Sequence, residues 1–181
     1  MLLVLAGPSG VVKGTIVARL RQLVPELWES VSYTTRDPRP DEVDGVDYCF
    51  VTREEFESLR DAGGFLEWFE VFGDLKGTPR GPVAEHLAAG DDVLLEIDVQ
   101  GALKVREQFP EAVLVFVRPP SLEDLRARLE GRGTETEAAL TRRLAEAEGE
   151  LARAPEFDHV VVNDDVERVV GEVAGILAAR R

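Results

Sequence analysis

Apolar residues run unbroken through "MLLVLA" at the start of the chain, and the run has the length of a buried strand rather than of a helix. Similar runs follow at "DVLLEID", "AVLVFV" and "HVVV". Between and after them, apolar positions recur at helical spacing in "TIVARLRQLV", "QGALKVREQF", "SLEDLRARLE", "EAALTRRLAEAEGELARA" and "VERVVGEVAGILAAR". Ser121 stands ahead of "LEDL" as an N-cap with an acid three residues on. Buried strands alternating with amphipathic helices predict an α/β fold, a doubly wound parallel sheet covered on both faces.

From about residue 32 to 78 that rhythm breaks. Short polar–apolar strands, "VDYCFV" and "GFLEWFEVF", flank the helical pattern "REEFESLRDA", and Thr52 with Glu55 forms a capping box ahead of it. This stretch reads as a small mixed α+β insert on the doubly wound core.

Composition narrows the picture. With 181 residues, 44% hydrophobic and 31% charged, the chain fits one compact domain with a sizeable core. No apolar run approaches the roughly 20 residues that span a bilayer. "MLLVLAG" is too short for a signal peptide and has no basic segment ahead of it. Cys49 is the one cysteine, so no intrachain disulfide forms and a cytoplasmic protein is expected. The net charge of −14 argues against a nucleic-acid partner. Any phosphate ligand must therefore be held by a local concentration of Arg and Lys.

One such place follows the first strand. In "GPSGVVKGT", Gly7, Pro8, Ser9, Gly10, Val11, Val12, Lys13, Gly14 and Thr15 form a glycine-rich turn leading into a helix, the context of a phosphate cradle. Backbone N–H groups converge on phosphate oxygens there. Lys13 would reach the β- and γ-phosphates, and the Thr15 hydroxyl could meet Mg²⁺. Val12 departs from this pattern, because glycine before the lysine lets the backbone turn closely around the β-phosphate. A β-branched residue tolerates such a turn poorly. Strain of roughly 1–3 kcal/mol would weaken ATP binding about 5- to 150-fold without disturbing the fold. A second basic pair, Arg36 and Arg39, sits among prolines; it suits a phosphate monoester, or is a solvated charged loop.

Over essentially its whole length the chain resembles guanylate kinases. The matching strings are the phosphate loop, "SVSYTTRDPRPDEVDGVDY", "FLEWFEVFG", "GTPR", "LLEIDVQGA", "RLEGRGTETE" and "VVNDD". The resemblance implies a P-loop kinase core at 1–31, 79–127 and 145–181, a GMP-binding insert at 32–78 and a helical lid at 128–144. It implies ATP and GMP as substrates, with dGMP left open, and Mg²⁺ accompanying the ATP. Ser32, Arg36, Arg39 and Tyr48 match positions that hold the GMP phosphate. Glu67 and Asp98 match those that accept from guanine, and Thr78 matches a hydroxyl against the base. Arg128, Arg132 and Arg143 match lid arginines that close over the transferring group, and Asn163 matches a position near the adenine. Lys76 stands where the family has a phosphate-binding tyrosine. The implied activity is phosphoryl transfer from ATP to GMP, catalysed by Lys13 and the lid arginines. The alternative is a guanylate-kinase-like module that binds GMP or a phosphorylated peptide with little or no turnover. His86 and His159 are expected to be structural or surface residues.

Overall fold

The computed structural model describes residues 1–71, 73–130 and 137–180. Among these residues five strands form one parallel sheet: β1 (Leu2–Ala6), β2 (Trp28–Glu29), β7 (Val93–Glu96), β8 (Val113–Arg118) and β9 (His159–Val162), in the order β2-β7-β1-β8-β9. Alternation along the strands fills both faces. Leu3, Leu5, Val115 and Val117 point into one apolar layer, while Val4, Ala6, Leu114 and Phe116 point into the other. The first layer is closed by helices α1 (Lys13–Leu23), α5 (Leu122–Glu130), α6 (Glu137–Ala152) and α7 (Val166–Ala179). The second is closed by α3 (Arg80–Ala89) and α4 (Val99–Gln108). The doubly wound sheet read from the sequence is the observed one.

A second sheet, of order β4-β3-β6-β5, comes from β3 (Tyr33–Thr34), β4 (Cys49–Phe50), β5 (Phe65–Val71) and β6 (Asp74–Pro79). It is mixed: β3 pairs parallel with β4 and antiparallel with β6. Helix α2 (Arg53–Asp61) starts at the Thr52–Glu55 capping box and packs Phe56 onto Phe65 and Leu75. These three residues form a small core separate from the two large layers.

The two-residue strands β2 and β3 are too short to show a period, and two longer elements, β6 and α3, escaped it as well. β6, "DLKGTP", is polar and carries Gly and Pro, yet it lies inside the second sheet. A Cβ at Gly77 would stand 2.9 Å from a Phe65 ring carbon, so only glycine fits under the aromatic. Helix α3 opens "RGPV", and its Gly–Pro pair signals a turn; Pro82, however, lies in the first turn, where no intrahelical N–H is needed. Among the described residues, no helix is long and apolar enough to cross a membrane.

Candidate active site

The loop between β1 and α1 is shaped by three positions. A Cβ at Gly7 would sit 2.1 Å from the Val117 carbonyl oxygen on neighbouring β8, so the backbone can pass there only as glycine. Gly10, at φ 94°, lies against Leu125 and Leu129 of α5. Val11 is fully buried in the core and anchors the loop from below. Val12 then adopts φ 63° and ψ 38° as the N-cap of α1. Among the described residues it is the one non-glycine residue with positive φ, and it is β-branched, the type least suited to that region.

Lys13 begins α1, and its Nζ donates to the carbonyl oxygens of Gly7 (2.7 Å) and Pro8 (3.4 Å). Burial lowers the pKa of its ammonium, while the carboxylates of Glu96, Glu150 and Asp98 act in the opposite direction. Ser9, Gly14 and Thr15 are exposed around the loop. Glu96 was not among the residues read from the sequence. It ends β7 in register with Leu5, and its carboxylate lies 3.7 Å from where a Gly14 Cβ would be. Burial raises its pKa, and Lys13 opposes the shift. The legible signal was an acid at the carboxyl end of a parallel strand beside the phosphate-loop strand, where α/β sheets gather ligands. Thr15 and Glu96 supply hard oxygen donors, a set that suits Mg²⁺ held with phosphates and water.

The second sheet brings the other candidates together. Glu67 on β5 faces Thr78 on β6 in register, and the Thr78 hydroxyl donates to Glu67 Oε1 at 2.5 Å. Glu67 is 6% exposed and Thr78 1%. The Glu67 carboxylate abuts the first turn of α4, where a Cβ on Gly101 would come within 3.2 Å of Oε2. Asp98 caps that helix, accepting from the Gly101 N–H at 2.7 Å. Burial pushes Glu67 up to about 7; the Thr78 hydrogen bond opposes this and Asp98 adds to it. Two carboxylates and a hydroxyl thus converge on one spot.

Farther along the insert, cations gather on Tyr48. The Arg36 guanidinium lies 5.5 Å from the Tyr48 ring centre and 5.7 Å from that of Phe50. The Lys76 ammonium lies 5.0 Å from the Tyr48 ring centre and donates to its hydroxyl at 3.5 Å. Glu42 ties the loop together: it pairs with Arg36 at 2.8 Å and accepts the Arg39 backbone N–H at 2.8 Å. The Arg39 side chain is exposed, 3.8 Å from Glu42. Ser32 is half-buried, its carbonyl accepting from the Cys49 N–H at 2.9 Å; Cys49 is a half-buried strand residue.

Of the arginines expected in a lid, Arg128 on α5 donates from Nη2 to the Asn163 carbonyl at 3.0 Å, while its Nη1 is buried with no hydrogen-bond partner among the described residues. Arg143 is half-buried on α6. Arg132 lies outside the described residues. Asn163, expected beside the adenine, is 2% exposed and donates its side-chain amide to the Val11 carbonyl at 2.7 Å. His86 stacks on Trp28 and pairs with Asp91 at 2.7 Å, and His159 begins β9; both lie away from these groups.

Comparison with known proteins adds the family. The guanylate kinase family model matches residues 1–180. A guanylate kinase of Corynebacterium diphtheriae is 54% identical over 182 residues, 99% of this chain and 95% of that protein. One of a Synechococcus species is 54% identical over 170 residues, 94% of this chain and 90% of its own. Among solved structures, the guanylate kinase of Anaplasma phagocytophilum superposes with a TM-score of 0.82 at 37% identity, covering 99% of this chain and 85% of that one. The shikimate kinase of Bacteroides thetaiotaomicron shares the fold, with a TM-score of 0.57 at 14% identity, covering 98% of each chain.

Proposed function

Because the chain belongs to the guanylate kinase family, we propose that it transfers the terminal phosphoryl group of ATP to GMP, giving ADP and GDP. The observation that carries this reading is the buried Glu67 carboxylate, held by Thr78 beside Asp98. Glu67 and Asp98 offer acceptors to the guanine N1–H and exocyclic amine. Adenine lacks that pair of donors and would leave buried acceptors unpaired, which rejects it.

Ser32, Arg36, Arg39, Tyr48 and Lys76 hold the GMP phosphate. Lys76 brings an ammonium where the family has a phenol. Gly7 to Thr15 cradle the ATP phosphates, with Lys13 leaving the Gly7 carbonyl for the β- and γ-oxygens. Thr15 and Glu96 would hold Mg²⁺, which when bound would neutralise charge on the ATP phosphates. Arg128 and Arg143, with Arg132 between them, close residues 128–144 as a lid over the transferring group. Positioning and charge neutralisation supply the catalysis, so no covalent intermediate or general-base histidine is required.

The left-handed Val12 favours a second reading, a module that binds GMP or a phosphorylated peptide with little turnover. A coupled ADP-release assay with ATP, Mg²⁺ and GMP, run beside Val12→Gly, separates the two. Turnover by the parent, with the KM for ATP lowered roughly fivefold or more by Val12→Gly, supports the kinase. A dead parent and a dead Val12→Gly variant would overturn it in favour of the module.

A further inference from the structure

A valine held at φ 63° persists only where its surroundings over-determine it. Its own side chain gives little help, being 38% exposed. The φ of Val12 is set by the plane of the peptide joining it to Val11. The carbonyl in that plane accepts the Asn163 amide at 2.7 Å. On the far side of Val12, its own carbonyl accepts from the Ile16 N–H at a longer 3.4 Å. Asn163 is itself fixed: its N–H donates to the Arg118 carbonyl at 2.8 Å and its carbonyl accepts from Arg128. A rigid chain of bonds therefore runs from β8 and α5 through Asn163 to the edge of the strained residue.

We propose that Asn163 is a positioning residue that holds the phosphate loop in its nucleotide-binding shape against the strain of Val12, so that ATP binding depends on Asn163 far more with valine at position 12 than with glycine. This rests on the loop being the ATP site. Without the amide, the Val11–Val12 peptide is free to turn and relieve φ. ATP then meets a loop whose competent shape is only fractionally populated, and its apparent affinity falls by that fraction. With glycine the left-handed region is freely accessible, and the same deletion removes little.

The test is equilibrium binding of Mg²⁺–ATP by titration calorimetry, without GMP, to the full chain, Asn163→Ala, Val12→Gly and the double variant. The expected result is a loss of about tenfold or more for Asn163→Ala in the valine background and less than about threefold in the glycine background. Thermal melting should fall less in the valine background than in the glycine one, because release of the strained φ offsets part of the loss there; a purely structural role would lower melting equally in both and leave the two binding losses equal. If Asn163→Ala does not fold, Asn163→Ser, too short to reach the carbonyl, takes its place. Equal losses in the two backgrounds, or no loss with valine, overturn the inference. Binding by Val12→Gly but not by the parent also overturns it, because valine then blocks the loop whatever Asn163 does. No binding by either overturns the reading of the loop as the ATP site.

Discussion

In the role proposed for it, Glu67 sets stability against recognition. Its carboxyl is pushed up to about 7 by burial, and accepting guanine's donors requires the ionised form. GMP affinity should therefore fall with pH below about 7, with the KM for GMP rising up to tenfold per unit while the KM for ATP moves less. A KM for GMP that stays flat between pH 5.5 and 8 would exclude this role. The stability sign is the opposite one. Between about 4.5 and 7 the folded chain binds more protons at Glu67 than the unfolded chain does. Its contribution is thus complete at low pH and is lost as pH rises through 7. At pH 8 the buried charge opposes folding by on the order of 3 kcal/mol. Glu67→Gln should accordingly melt higher than the parent at pH 8, show little gain at pH 5, and bind GMP poorly at both. Glu67 and Val12 were legible in the sequence as a motif acid and an intruder in a glycine loop. That Glu67 is buried against a helix N-terminus was not legible, because a strand residue's surroundings depend on what packs across it.

The same interplay governs the elements. Helix α4 carries Gly101 in its first turn, where alanine would ordinarily favour the helix by up to about 1 kcal/mol. Here an added Cβ would lie 3.2 Å from Glu67 Oε2 and 3.3 Å from a Phe69 ring carbon. Gly101→Ala is expected to leave the melting temperature within a few degrees of the parent. It should raise the KM for GMP severalfold, by moving the carboxylate, and leave the KM for ATP unchanged. A variant with unaltered GMP kinetics would show that Glu67 need not sit where it does. The long periodic elements, the strands of the parallel sheet other than β2 and the helices α1, α4, α5, α6 and α7, were read in advance because their burial follows their own period. β6 and α3 were not, since a central strand built of Gly, Thr and Pro and a helix opening on Gly–Pro owe their form to neighbours. Lys76 lies on that unread strand, which is why its approach to Tyr48 had to come from the structure.

For the whole molecule, the second sheet carries a small core of its own and joins the large one through Leu66 of β5, and the proposed GMP contacts straddle the two: Arg36, Tyr48, Glu67 and Lys76 on the insert side, Asp98 at the end of the parallel sheet. A ligand gripped from both sides draws them together and excludes water from the transferring group. Saturating GMP alone should therefore shrink the radius of gyration measured by X-ray scattering, before any ATP is added. An unchanged profile would mean that closure waits for the second nucleotide. In a chain of net charge −14, the cations grouped on Tyr48 make that bridge electrostatically local, so closure should respond to the phosphate and much less to guanosine.

The left-handed valine also has a genetic side. Valine and glycine codons differ only at the middle base, so a single nucleotide change connects this loop to an unstrained one. The residues proposed to read GMP lie on other elements. On the proposed reading of the loop, a lineage carrying this chain would retune its grip on the phosphate donor in one mutational step, in either direction, while its choice of acceptor stayed as it is.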